Sequence, residues 1–253
     1  TRKVKVIMNR KSVRFGQNFV TSINDINKIC KKIDVNSNDV YFEIGPGKGH
    51  FTQYFVERAK EVIVIEIDSE LIPILNNKFS DLDNIKIVNH DFMSYELPST
   101  FKYKVFGNIP FNLSTSIIRK LSLEKYADEI YLIVELGFAK RLEDLNRKMG
   151  LMLAPFYEIS ILYNIPKRYF HPIPSVEVVL IKLKRTSYNM SMKEYIKYED
   201  FIEKWVKKDY NVLFTKNQLK QAIRYGNIDN LRILKVDQIL SIFESYKLFN
   251  GLK

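Results

Sequence analysis

The chain has 253 residues, with 40 Lys+Arg against 29 Asp+Glu and a formal net charge of +11. An apolar share of 46% supports a full core and excludes a disordered tail. One cysteine, Cys30, excludes a disulfide framework and a cysteine-held zinc, and with only His50, His90 and His171, widely spaced, no metal site is expected.

No apolar run approaches the ~18 residues of a membrane-crossing helix. The basic N-terminus has no apolar stretch behind it, so a secretory leader is not expected and a soluble cytoplasmic protein is. Charge is uneven. Residues 1–35 carry nine Lys+Arg and two Asp+Glu, residues 36–181 sixteen and nineteen, and residues 182–253 fifteen and eight. Basic ends around a near-neutral centre suit a polyanion-binding protein with a separate chemical core. A lysine-rich composition that serves only solubility is the alternative. The first fourteen residues hold Arg2, Lys3, Lys5, Arg10, Lys11 and Arg14 without an acid, and read as a basic arm.

In chain order, the first strand expected is Val40–Ile44, which runs into Gly45-Pro46-Gly47-Lys48-Gly49-His50 and then an amphipathic segment, Phe51–Ala59. Glycines suit a turn that needs positive φ or a close approach of backbone to ligand. The helix that follows offers free N–H groups. The next strand, Val62–Ile67, ends in Glu66-Ile67-Asp68, where a carboxylate can hold ribose hydroxyls. The spacing G-x-G-x-G, with His50 where a dinucleotide fingerprint continues, fits an S-adenosylmethionine site better than a pyrophosphate cradle. After a helix over Glu70–Phe79, the strand Ile85–Val88 leads to Asp91-Phe92. That Asp can accept from an adenine amino group, or simply cap a loop.

A strand over Lys104–Phe106 then runs into Gly107-Asn108-Ile109-Pro110-Phe111. The exocyclic amine of a base is a poor nucleophile, because its lone pair is delocalised into the ring. An Asn side-chain oxygen and a backbone carbonyl can accept its two N–H bonds and localise the lone pair. Proline fixes the loop, and an aromatic ring can stack on a flipped-out base. No general base is needed, since the amine becomes acidic once methylated. A plain Pro-containing turn is the alternative.

A helix over Thr115–Leu123 and strands over Ile130–Val134, Ile159–Tyr163 and Val176–Leu183 follow, the last two as an antiparallel pair bridged by Pro166, Pro172 and Pro174. Alternation of strand and helix predicts an α/β fold on a mostly parallel sheet. After Arg185 the apolar period becomes helical: one face holds Tyr198, Phe201, Ile202, Trp205 and Val206, a second helix fits Asn217–Tyr225 with Gly226 as its left-handed closing residue, and a third fits Val236–Phe249. Trp205 and Cys30 read as core.

On these residues the chain resembles the rRNA adenine-N6 dimethyltransferases, and within them the Erm 23S rRNA methyltransferases. The likeness runs from Gln17-Asn18-Phe19-Val20-Thr21-Ser22 through Glu43–Gly49, Glu66, Asp91 and Asn108–Phe111. It continues through Gly137–Leu142, Tyr169–Pro172, Phe214–Gln218 and Tyr246–Asn250. The resemblance implies a Rossmann-like S-adenosylmethionine-dependent methyltransferase sheet with a small C-terminal α-helical domain. Its divisions would be an arm (1–14), a catalytic domain (15–185) and an rRNA-binding domain (186–253).

It further implies S-adenosylmethionine contacts from Gln17, Asn18, Val20, Gly45, Gly47, Glu66, Ile67, Asp91, Phe92 and Asn108, and a target adenine held by Asn108, Ile109, Pro110 and Phe111. The rRNA contacts expected are Arg10, Lys11, Arg14, Lys140, Arg141, Lys207, Lys208 and Lys216. The partner would be 23S rRNA before or early in assembly, bound by a monomer, with macrolide-class resistance as the outcome. Phe111 stands where the family usually has Tyr. Pro46 and Arg14–Gln17 are closer to the housekeeping 16S enzyme, so that activity, or a non-catalytic RNA-binding factor, is the rival expectation.

Overall fold

The computed structural model describes residues 19–231 and 233–251, and the chain divides into two compact units. The first runs through Gly137 and resumes over Ser160–Lys184. The second comprises Phe138–Ile159 and the chain from Arg185 onward.

The first unit begins with β1 (Phe19–Val20) and α1 (Ile23–Cys30). The central strands are β2 (Val40–Ile44), β3 (Glu61–Glu66), β4 (Ile85–Asn89), β5 (Tyr103–Asn108) and β6 (Ala127–Glu135). Between them lie α2 (Thr52–Val56), α3 (Ile72–Lys78, with Pro73 in its first turn) and α4 (Ser114–Ser122). The sheet is completed by β7 (Tyr157–Ile165) and β9 (Val178–Arg185), with the two-residue β8 (Phe170–His171) between them in sequence.

Seven strands form one sheet in the order β4-β3-β2-β5-β6-β9-β7, and β1 pairs with β8 in a separate two-stranded ladder. Strands β2 to β6 are mutually parallel, and β9 runs antiparallel to β6. The expected α/β sheet is therefore present, with β7 and β9 adjacent at one edge. Parallel strands covered on both faces read as continuous apolar runs. Accordingly Val62, Ile63, Val64 and Ile65 of β3 are all buried. On one side Tyr41, Phe55, Phe106 and Tyr131 share a core with Ile29 and Cys30 of α1. Cys30 is buried, and burial pushes its thiol up, as a small core hydrophobe requires.

The second unit holds α6 (Lys148–Leu153), α7 (Met192–Val206), α8 (Tyr210–Leu213), α9 (Lys216–Tyr225) and α10 (Val236–Phe249). The helix α5 (Leu136–Glu143) leads into it. Its core gathers Tyr198, Phe201, Ile202, Trp205, Ile239, Ile242 and Phe243 with Leu151 and Met152. The expected division at 185/186 thus misses Phe138–Ile159. The reason is packing: Leu151 and Met152 complete the helical core, and the Tyr198 hydroxyl donates to the Leu151 carbonyl at 2.9 Å.

Capping boxes start α7 (Ser191 with Glu194) and α9 (Thr215 with Gln218). At the end of α9 the expectation for Gly226 is corrected. Gly226 has φ −80°, and Asn227 is the residue in the left-handed region, at φ 46°. The Ile228 N–H closes on the Ile223 carbonyl (3.1 Å) and that of Asn227 on Arg224 (3.2 Å), a Schellman closure with Asn at C′. Glycine at 226 avoids crowding rather than strain: a Cβ there would lie 2.9 Å from Ile228 Cδ1 and would displace that side chain's tip.

Candidate cofactor and catalytic site

Parallel strands put their carboxyl ends on one edge, and the register here aligns four of them. Ile44 lies opposite Ile65 and Gly107, Glu66 opposite Asn89, and Asn108 opposite Ile133. The turn Gly45–Gly49 and the segments after Glu66, Asn89 and Asn108 therefore emerge side by side. The strand order reverses between β2 and β5, which is where open α/β sheets bind ligands.

Gly45, Gly47 and Gly49 have φ of 63°, 59° and 70°, conformations that residues with a Cβ adopt only under strain. The turn is pinned from both flanks. The Gly45 N–H donates to the Ile65 carbonyl (2.9 Å), and the Glu66 carboxylate accepts from Gly47 N (3.1 Å) and Asp68 N (2.9 Å). The Glu66 backbone carbonyl accepts from Asn89 Nδ2 (2.8 Å) and His90 N (2.9 Å), joining β3 to β4. Burial pushes the Glu66 carboxyl above its ordinary range, and the Asp68 and Gly47 N–H groups pull it back in part. The Ile67 N–H also draws the carboxyl down, and a carboxylate's roughly four lone-pair sites leave it capacity to accept from a hydroxyl beyond these backbone donors. A Cβ at Gly45 would meet nothing within 4 Å, so backbone is presented there without side-chain cover. Ile67 is 58% exposed beside Glu66, a free apolar surface for a flat ring.

Asp91 is exposed after β4, and its Oδ1 accepts from Met93 N at 2.9 Å, the turn-capping arrangement. Phe92 is buried under the Lys120 ammonium. Asn108 ends β5 and is half-buried, Ile109 is buried, and Pro110 (φ −56°, ψ 130°) turns the chain into a short 3₁₀ segment, Phe111–Leu113. Phe111 is partly buried against the same core as Phe55 and Phe106. Gly107 can carry no side chain, since a Cβ there would lie 2.8 Å from Ile109 Cγ2 and 3.2 Å from Leu132 Cδ2. Val20 is buried and pairs with Phe170 through β1 and β8. Phe19 approaches the glycine turn, its Cε1 3.8 Å from where a Gly47 Cβ would stand.

Gln17, Asn18, Arg10, Lys11 and Arg14 lie outside the described residues. The other basic candidates all belong to the second unit. Lys140 and Arg141 are exposed on α5, with Arg141 over the Phe138 ring. Lys207 is exposed but bonded to Glu203 (3.0 Å), Lys208 takes φ 62°, and Lys216 opens α9. Trp205 is buried, as a core residue is.

Two further charged groups, Glu43 and Lys78, are not among the site residues expected from the sequence, although Glu43 opens the Glu43–Gly49 stretch of the likeness. Glu43 is buried in β2 with Oε2 unpartnered, and burial pushes its carboxyl to about 8 although the Thr52 hydroxyl and Lys78 ammonium draw it down. Lys78, at the end of α3, donates to the carbonyls of Gly49 (2.6 Å) and Lys48 (3.3 Å). A Glu inside an apolar strand, at the head of the glycine motif, is the hint for the first. Among the described residues no cluster of side chains suits a metal ion, and no helix is long and apolar enough to cross a membrane.

Residues 8–250 match the family profile described as ribosomal RNA adenine dimethylase. Proteins named rRNA adenine N-6-methyltransferase from Limosilactobacillus reuteri and Lysinibacillus sphaericus are each 48% identical to this chain, covering 96% of it and all of their own length. One of the same name from Staphylococcus aureus is 44% identical over 243 residues. Among solved structures, the 23S rRNA methyltransferase ErmE superposes with TM-score 0.75 at 22% identity, covering 91% of this chain and 100% of its own. A dimethyladenosine transferase from Plasmodium falciparum gives 0.69 at 19%, covering 92% and 98%. At those identities the likeness concerns the Rossmann-like fold.

Proposed function

The chain belongs to the ribosomal RNA adenine dimethylase family and is an rRNA adenine methyltransferase, and from that premise we propose that it N6-methylates one adenine of 23S rRNA with S-adenosylmethionine, giving macrolide–lincosamide–streptogramin B resistance. The observation that carries the reading is the position of Asn108-Ile109-Pro110-Phe111 at the end of β5, next in the sheet to the strand that feeds the glycine turn.

The residues present fit that cofactor. Glu66 retains acceptor capacity at the end of β3, the Gly45 backbone lies open to close approach, and Ile67 offers a ring-sized apolar surface. When bound, S-adenosylmethionine supplies a methyl group activated by its sulfonium charge. Gly45, Gly47, Glu66, Ile67, Asp91, Phe92 and Val20 would line its site, with Gln17 and Asn18 from the preceding segment. The Asn108 side-chain oxygen and a loop carbonyl, held by the fixed φ of Pro110, would accept the two N–H groups of the target amine. The nitrogen lone pair is then localised and aimed in line, and orientation supplies most of the rate. Phe111 would stack on the extruded base. The product ammonium loses its proton to water. Lys140, Arg141, Lys207, Lys208 and Lys216, with Arg10, Lys11 and Arg14 of the arm, would meet phosphates.

Mass spectrometry of adenosines from protein-free 23S rRNA incubated with enzyme and S-adenosylmethionine tests the proposal. N6-methyladenosine at one position is expected, and its absence overturns the 23S reading. Pro46 in the glycine turn favours a second reading, the housekeeping 16S activity. That reading requires methylation of 30S particles and no rise in erythromycin tolerance on expression.

A further inference from the structure

The glycine turn rests on α3, at residues spaced as one helical face. Leu75, Lys78 and Phe79 stand at i, i+3 and i+4. A Cβ at Gly49 would lie 2.7 Å from Phe79 Cε2 and 3.0 Å from Leu75 Cδ2, so the turn sits directly on these two side chains. The third, Lys78, reaches past them to the backbone. Its Nζ donates to the Gly49 carbonyl at 2.6 Å and to that of Lys48 at 3.3 Å, while lying 5.1 Å above the Phe79 ring.

Two successive carbonyls held by one ammonium fix the orientation of the peptide planes between them. Left-handed glycines flank Lys48 on both sides, and glycine is the residue with the most alternative conformations to lose. Without a tether the stretch would sample them. The Glu66 carboxylate pins the turn from the other side, at Gly47 N. The turn is thus clamped at its amide end by an acid and at its carbonyl end by a base. Only the acid belongs to the residues that would touch the cofactor.

We propose that Lys78 is a positioning residue for the cofactor: its ammonium locks the Lys48 and Gly49 carbonyls and so holds the glycine turn in the shape that receives S-adenosylmethionine. The inference rests on the cofactor reading above. Pre-ordering a site lowers the cost of binding, and it serves ground state and transition state alike. Loss of Lys78 therefore acts on cofactor affinity and KM more than on kcat.

The test uses the full chain as wild type, Lys78→Met and Lys78→Arg, with S-adenosylhomocysteine as the calorimetric probe and S-adenosylmethionine in steady-state methylation of 23S rRNA. A charge-assisted hydrogen bond corresponds to about a tenfold effect or more. Lys78→Met is expected to raise the Kd for S-adenosylhomocysteine and the KM for S-adenosylmethionine by about tenfold. Its kcat should fall by much less, and Lys78→Arg, whose guanidinium can span two carbonyls, should return most of the affinity. An unchanged Kd in Lys78→Met overturns the proposal, as does a loss confined to kcat. Should Lys78→Met fail to fold, Lys78→Arg carries the test alone: binding within about threefold of wild type supports the clamp, and a tenfold loss overturns it. If wild type itself binds no S-adenosylhomocysteine, it is the cofactor reading that fails.

Discussion

Gly45 and Gly49 offer an internally controlled perturbation of the glycine turn. Both are left-handed, at φ 63° and 70°, so alanine at either position carries the same kind of backbone strain, about 1–2 kcal/mol. They differ in space. A Cβ at Gly45 meets nothing within 4 Å, whereas at Gly49 it lies 2.7 Å from Phe79 Cε2 and 3.0 Å from Leu75 Cδ2. Phe79 and Leu75 are themselves buried, so neither can swing away into solvent. Overpacking of this kind costs about 1–3 kcal/mol more. The difference between the variants isolates that part, because the strain cancels. In a chain of this size each kcal/mol moves the thermal midpoint by roughly 2–4 °C, so Gly49→Ala should melt about 2–12 °C below Gly45→Ala. Differential scanning fluorimetry of the two variants beside wild type measures it. S-adenosylhomocysteine binding should show the opposite imbalance per degree lost, since the methyl of Gly45→Ala intrudes on the uncovered face of the turn. Equal melting points would refute the reasoning, for they would mean that α3 does not support the turn as the packing says.

Asn108→Ala should abolish methylation while the chain still binds 23S rRNA in a filter assay, and Phe111→Tyr should retain activity that Phe111→Ala loses. Glu43 gives a pH signature: its folded-state carboxyl is pushed up to about 8, against an ordinary 4.5. The neutral form is thus favoured in the fold, so the contribution is fully present below about 4.5 and is lost as pH rises towards 8. Glu43→Gln, neutral throughout, should gain melting temperature relative to wild type between pH 5 and 8; a constant difference would count against a raised carboxyl. Replacing Lys208 and Lys216 with Ala should reduce the slope of log affinity against log salt by about 0.7–0.9 for each phosphate no longer neutralised. A slope unchanged in the double variant would remove these two lysines from the rRNA interface.

What is legible in the sequence follows from what is local. Strands β2, β3, β5 and β6 announce themselves because a parallel sheet buried on both faces needs unbroken apolar runs, and Val62–Ile65 is such a run. The Gly45–Gly49 turn, Glu66 and Asn108–Phe111 are equally readable, because each directly follows or ends one of those strands. The ladder of β1 with β8 is not: two residues carry no period, and Val20 meets Phe170 across 150 positions. Nor is the membership of Phe138–Ile159. An amphipathic segment states that it has a buried face without stating which core receives it, and only the packing of Leu151 beside Tyr198 decides that. At Gly226 a local rule points to the wrong residue, since a need for space beside Ile228 and a need for positive φ both select glycine.

The same distinction separates the groups that would touch ligand from the groups that hold them. A parallel sheet delivers its strand ends to one edge, so chemistry placed just after a strand lands at the site whatever lies between the strands. Support has no such address. Lys78 reaches the Gly49 carbonyl across 29 residues, and nothing in the sequence of α3 distinguishes it from a solvated lysine. Glu43, one residue before the end of β2, opens the Glu43–Gly49 stretch of the likeness, but only the fold shows that its carboxyl is buried. Lys78 holds the peptide units of the turn directly, and Glu43 acts electrostatically on the ammonium that does so. The shape of the glycine turn therefore depends on a helix whose own sequence carries no cofactor motif, and a change in α3 should be felt first as cofactor affinity.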